Sequence, residues 1–207
     1  MKFFRRLYPA LDYVKDNGGY LFAKDVRGMR NGTKQYFVFN SYDEFHNSKY
    51  SRTFYEVIYS YHKLYFDIDI SDSIYDIAYW NKFVEDFITS IKATLKDYNV
   101  DKVNVNIYTD HRKDKFSYHI ILTNIYVKNN KDAKKYAKIL QKNFNHNNKQ
   151  VIDIIGCYKK NQLLRVLGHG KMYDEGTKKI LWKGTESFED SLVTNLDNLQ
   201  KKGSYML

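Results

Sequence analysis

The chain has 207 residues, of which 43% are hydrophobic and 28% charged, and its formal net charge is +10. That length suits one domain or one compact pair of lobes, and the composition excludes a disordered chain. No run of about 18 apolar residues occurs, which argues against a membrane span and a membrane partner. The lone cysteine, Cys157, excludes an intrachain disulfide and a cysteine-cluster structural zinc.

The start, MKFFRRLYPALDYVKDNGGY, has no apolar core of signal-peptide type, so an intracellular, reducing location is expected, with no compartment specified. The charge is uneven. Residues 1–100 hold 14 Lys/Arg against 13 Asp/Glu, and residues 101–207 hold 20 against 11. A basic half of this size points to a polyanion, nucleic acid first, although charge also serves solubility.

In chain order, residues 20–26 (YLFAKDV) and 35–39 (QYFVF) read as strands around the turn RGMRNGTK. Ser41-Tyr-Asp-Glu44 is a capping-box pattern that predicts a short helix. FYEVIYS (54–60) and KLYFDIDI (63–70) read as neighbouring strands paired across Tyr61-His62. Over 73–97 the period changes: Ile74, Ile77, Asn81, Val84, Ile88, Ile91 and Leu95 recur at helical spacing and predict the longest helix. VNVNIYT (103–109) and KFSYHIILT (115–123) predict a hairpin around the polar turn DHRKDK. KDAKKYAKILQKNF (131–144) predicts a second amphipathic helix, and VIDII (151–155), LLRVL (163–167) and KKILW (178–182) predict short strands. The mixture predicts an α+β fold with helices covering a mainly antiparallel sheet. No internal boundary shows in the composition, so residues 1–207 are taken as one domain.

Three clusters carry chemistry. In Leu64-Tyr-Phe-Asp67-Ile-Asp69, the two carboxylates project from one face of a strand, because residues two apart share a face. Like charges so placed repel, and a divalent cation such as Mg²⁺ or Mn²⁺ relieves this. In Lys115-Phe-Ser117-Tyr-His119, an ammonium, a hydroxyl and an imidazole share one face and suit phosphate oxygens. The third cluster runs from Asp153, a carboxylate in an apolar segment, through Tyr158, Asn161 and Arg165 to Gly168-His169-Gly170-Lys171. Each has an ordinary structural reading too: a solvated strand end, a core histidine bonded to a carbonyl, and a plain loop.

Together, in this order and spacing, these residues resemble the archaeo-eukaryotic primase superfamily, and more finely its PrimPol-like branch and the primase domains of large DNA virus primase–helicases. Tyr55-Glu-Val-Ile58 precedes Leu64-Tyr-Phe-Asp67, KFSYH spans Lys115–His119, and Asp153, Tyr158, Asn161, Arg165 and Lys171 follow, so the resemblance covers about residues 20–185. It implies a fold of two α/β modules, one of them RRM-like and holding the acids. It implies template-directed synthesis of primers or longer strands from nucleoside triphosphates. Asp67, Asp69 and Asp153 would hold two divalent cations, Mg²⁺ or Mn²⁺. Lys115, Ser117, His119, Arg165, His169 and Lys171 would bind the triphosphate. The implied partners are a DNA template–primer, dNTPs or NTPs, and a helicase domain or other replication proteins. The zinc module often appended in this branch is missing, and Gly168-His-Gly170 stands where a serine-containing loop is frequent. Two other classes stay open: a non-catalytic RRM-like module for single strands, and a two-metal nuclease.

Overall fold

The computed structural model describes residues 1–26, 33–48, 53–71, 75–111, 115–170, 178–185, 187–197, 199–201 and 203–207. The chain divides into two compact units, Met1–Val57 with Leu163–Lys179, and Ile58–Gln162 with Ile180–Leu207. Each has its own mainly antiparallel sheet, so the fold is α+β. Among the described residues no helix is long and apolar enough to cross a membrane.

The first unit begins with β1 (Lys2–Phe4), α1 (Leu7–Asn17), β2 (Tyr20–Asp25), β3 (Lys34–Phe39), α2 (Tyr42–His46) and β4 (Phe54–Ile58). Its last strand, β8 (Gln162–Arg165), comes much later in the chain and completes the order β1-β3-β2-β4-β8. Alternation sorts the side chains. Leu21, Ala23 and Val38 face Ala10 and Val14 of α1. Phe22, Phe37, Phe39 and Phe54 gather with Phe45 of α2 into an aromatic cluster. The Ser41 cap is present, its hydroxyl accepting the Glu44 N–H at 3.0 Å. The return bond of the box goes one residue further out, from the Asn40 N–H to the Glu44 carboxylate at 2.6 Å.

The second unit holds β5 (His62–Ile70), α3 (Ile77–Lys96), β6 (Val105–Thr109), β7 (Phe116–Val127) and α4 (Asn130–Asn143). A 3-10 turn at Lys149–Val151, then β9 (Ile180–Lys183), α5 (Phe188–Ser191) and β10 (Tyr205–Met206) complete it. The 12-residue β7 organises the sheet. Antiparallel β5 lies along one side; antiparallel β6 and parallel β10 share the other; β9 extends the sheet beyond β6. One face of the sheet carries Phe66, Ile68, Tyr118 and Ile120. The Phe66 ring meets Phe87 of α3 edge-on at 5.1 Å, and the Tyr118 hydroxyl donates to Asn81 Oδ1 at 2.8 Å. The long helix is thus bound to that face, which leaves the opposite one for chemistry.

Several expectations need correction. The segments 54–60 and 63–70 do not pair: β4 lies between β2 and β8, while β5 pairs with β7. Apolar runs of strand length show that strands exist and leave their partners open. The long helix starts at Ile77 rather than 73, because Asp76 caps it by accepting the Tyr79 N–H at 2.9 Å. VIDII is not a strand; only Ile152 bridges to Ile68, and residues 154–158 turn. Ile74, Lys171 and the middles of the turns RGMRNGTK and DHRKDK lie outside the described residues.

The hydrogen bonds of Asn106 fasten the end of β9. Its amide donates to the Thr185 carbonyl at 3.3 Å and accepts the Thr185 N–H at 3.0 Å. Gly184, the residue before Thr185, has φ 122, and an added Cβ there would run into the Asn106 side chain and Cα. We expect Gly184→Ala to destabilise the protein by about 1–3 kcal/mol through backbone strain, with the clash in addition. Chemical denaturation against wild type checks this.

Candidate active site

The register of β5 on β7 builds the site. Asp67 lies opposite His119, and Asp69 lies opposite Ser117. Directly opposed residues on antiparallel strands point to the same face. The two sequence clusters therefore form one patch, on the face away from α3. His119 Nε2 lies 3.3 Å from Asp67 Oδ1. The Ser117 hydroxyl donates to Asp69 Oδ1 at 2.7 Å, and Lys115 Nζ lies 2.6 Å from Asp69 Oδ2.

Asp153 joins from the other side of β5. Ile152 bridges antiparallel to Ile68, and the Asp153 N–H donates to the Asp67 carbonyl at 2.9 Å. His119, Asp67 and Asp153 thus occupy one row across the sheet. The Asp153 carboxylate accepts the Gly156 N–H at 2.6 Å, which shapes the following turn. That turn is held to β5 by two phenols: the Tyr65 hydroxyl donates to the Cys157 carbonyl, and the Tyr158 hydroxyl to the Tyr65 carbonyl. Burial pushes Tyr65, Cys157 and Tyr158 well above their ordinary pKa values. The charge of Asp67 adds to this at all three, and that of Asp153 at Cys157 and Tyr158. Both carboxylates thus act on the same buried pair, and both phenols remain protonated donors.

The repulsion expected between Asp67 and Asp69 is met by His119 of β7 beside Asp67 and by Lys115, just before β7, beside Asp69. The donor set still suits a hard divalent cation, since carboxylate oxygens are the ligands Mg²⁺ and Mn²⁺ prefer. Among the described residues no group of three or more histidine, cysteine or acidic side chains is gathered closely enough to hold a metal ion.

Two residues of this patch escaped the sequence reading. Asp110 follows β6, is buried, and donates its N–H to the Ser117 carbonyl at 3.2 Å. That places it in the row of Ser117 and Asp69. The alternation of VNVNIYT runs one residue further than read, so Asp110 continues the series of Asn106 and Tyr108. Next to it, His111 Nδ1 accepts the Ser117 N–H at 3.1 Å. Burial lowers the pKa of His111, against the opposing pull of Asp110, so the ring is a neutral acceptor that fixes the Ser117 backbone.

Arg165 and His169 belong to the first unit. Arg165 is buried in β8, and its carbonyl accepts from the fully buried Lys179 ammonium at 2.9 Å. His169 Nδ1 accepts the Phe54 N–H at 3.0 Å, and its ring stacks on Phe45 at 5.8 Å. This histidine is therefore built into the aromatic cluster.

No family model matches the chain, and no curated protein matches it.

On the expectation that this patch binds a nucleoside triphosphate, His119→Ala should raise the nucleotide KM and lower kcat. A charge-assisted contact to phosphate contributes roughly 1.5–3 kcal/mol, hence a loss of about 10- to 100-fold in kcat/KM. Nucleotide titration checks this, and unchanged rate and affinity would reduce His119 to a partner of Asp67.

Proposed function

We propose that the protein is a template-directed nucleotidyltransferase, a primase–polymerase of the archaeo-eukaryotic primase type. It would build or extend DNA strands from nucleoside triphosphates with two divalent cations. The observation that carries the reading is the β5–β7 register, in which the DxD and SxH segments oppose each other residue for residue. A solvated strand end has no need of a matched Lys/Ser/His row.

In this reading Asp67, Asp69 and Asp153 would hold the cations, and the chemistry such cations would supply is activation of a 3′-hydroxyl and neutralisation of charge at the α-phosphate. Lys115 and Ser117, both bonded to Asp69, would offer an ammonium and a hydroxyl to the triphosphate. His119 holds Asp67 in orientation and offers a donor to phosphate. Tyr65 and Tyr158 fix the Asp153 turn against β5, so the third acid sits on a rigid support. Arg165, His169 and Lys171 belong to the nucleotide-binding set that the resemblance implies.

The test is incorporation on a labelled primer–template with Mg²⁺ or Mn²⁺. Extension supports the proposal. Shortening of the primer would make the protein a nuclease. A mobility shift without chemistry would make it a binding module.

A further inference from the structure

Beside the turn that carries Asp153, the second unit contains a cavity of about 390 Å³. Sites for small organic groups run from roughly 300 to 1,000 Å³, so the size suits one flat heteroaromatic ring. Tyr59, 39% exposed, stands at this cavity. Lys131, Lys134 and Lys160 line it, and among the described residues no carboxylate does. The nearby Asp132 carboxylate accepts from the Asn129 amide at 3.0 Å and is engaged there.

The cations here are side chains. Asn129 Oδ1 already accepts the N–H groups of Lys131 and Asp132, at 2.8 and 3.0 Å, and so caps the start of α4. The cavity also presents amides at its wall. Asn130 donates to the Lys159 carbonyl, and its Oδ1 is buried without a hydrogen-bond partner among the described residues. Asn161 lines the wall at φ 55, a left-handed conformation that asparagine tolerates better than most residues.

An aromatic face, amide edges and lysines at one opening are the parts that hold a single nucleic-acid strand. The ring stacks a base, the Asn161 amide meets its edge, and the cations follow the backbone. We propose that this cavity receives one unpaired base of a single strand, stacked on Tyr59, with Lys131, Lys134 and Lys160 holding the flanking phosphates. The proposal rests on the reading above for the kind of partner, and on the cavity alone for the place.

The test is binding of a fluorescent dT20 oligonucleotide by anisotropy, in EDTA and without nucleotides, so that chemistry plays no part. Tyr59→Ala is expected to weaken binding about 5- to 150-fold, the loss of one base–aromatic stack, and Tyr59→Phe to leave it within about twofold. Lys131→Ala combined with Lys134→Ala is expected to reduce the salt dependence by roughly 1.4 log units per decade, about 0.7 for each lost phosphate contact. In the unmodified protein, an oligonucleotide bearing 5-iodouracil should photocrosslink to Tyr59. Unchanged binding by Tyr59→Ala, or crosslinks only at other residues, would overturn the proposal. So would displacement of the strand by free dTMP as readily as by dT20, since the cavity would then be a mononucleotide site. Failed primer extension alongside Tyr59-dependent binding would sink the polymerase reading and leave this site standing.

Discussion

Replacing Asp67 or Asp69 by Asn is expected to reduce nucleotide incorporation at least about 1,000-fold, with little change in melting temperature. The activity loss follows from the proposed role of each carboxylate in holding a cation, since the charge stabilisation such a cation gives amounts to several kcal/mol, and about 4 kcal/mol is a factor of 1,000. The stability effect follows from what each acid touches without metal. Asp69 is bonded to Ser117 and Lys115, and its side chain is 42% exposed. Such half-exposed ion pairs contribute about 0–1 kcal/mol, which for a chain of this size moves the melting temperature by roughly 2–4 °C. Like-charge repulsion alone would make the variants more stable. The partners on β7 and at Lys115 just before it reverse that sign, so a slight fall is expected. Incorporation assays with Mg²⁺ and Mn²⁺, beside melting curves in EDTA, measure both. Wild-type extension by either variant would remove the acids from catalysis. A fall of 10 °C or more would make them structural.

How far the site could be read from the sequence depends on range. Period two along one strand suffices to put Asp67 beside Asp69, and Ser117 beside Lys115 and His119. Nothing local says that the two strands are neighbours, or that Asp67 meets His119 rather than Ser117; that information lies in the β5–β7 register. The same limit explains the wrong partner given to 54–60. The link 59–61 is short enough for a hairpin, yet the chain uses it to pass from one sheet to the other. By contrast, the pattern of α1 is legible in the sequence. Leu7, Ala10, Leu11 and Val14 recur at helical spacing, and Gly18 closes the helix at φ 74. The very short β1 and β10, of 3 and 2 residues, carry too little pattern to show.

The sequence marks Asp153 as a carboxylate in need of a partner, but not its setting. VIDII looks like a buried strand because four of its five residues are apolar. The chain bridges at Ile152 and then turns, and the turn depends on Gly156. An added Cβ at Gly156 would fall on the Asp153 carboxylate, closer than any real Cβ approaches. The clashing atoms are the end of a side chain, so Asp153 can swing away at small cost to the fold.

Gly156→Ala is therefore expected to keep the melting temperature near wild type while incorporation falls about 100-fold, the effect that roughly 1 Å of misplacement has on a catalytic group. Asp153→Asn should lose at least as much activity, and the double variant should lose little beyond Asp153→Asn alone, because both changes act on one carboxylate. That non-additivity separates displacement of Asp153 from general damage to the turn. Steady-state incorporation for the two single variants and the double variant, with melting curves for each, gives the cycle. Full activity in Gly156→Ala would mean that the Asp153 carboxylate can move without consequence, and the third acid of the site would have to be sought elsewhere, first at Asp110, which shares a row with Ser117 and Asp69.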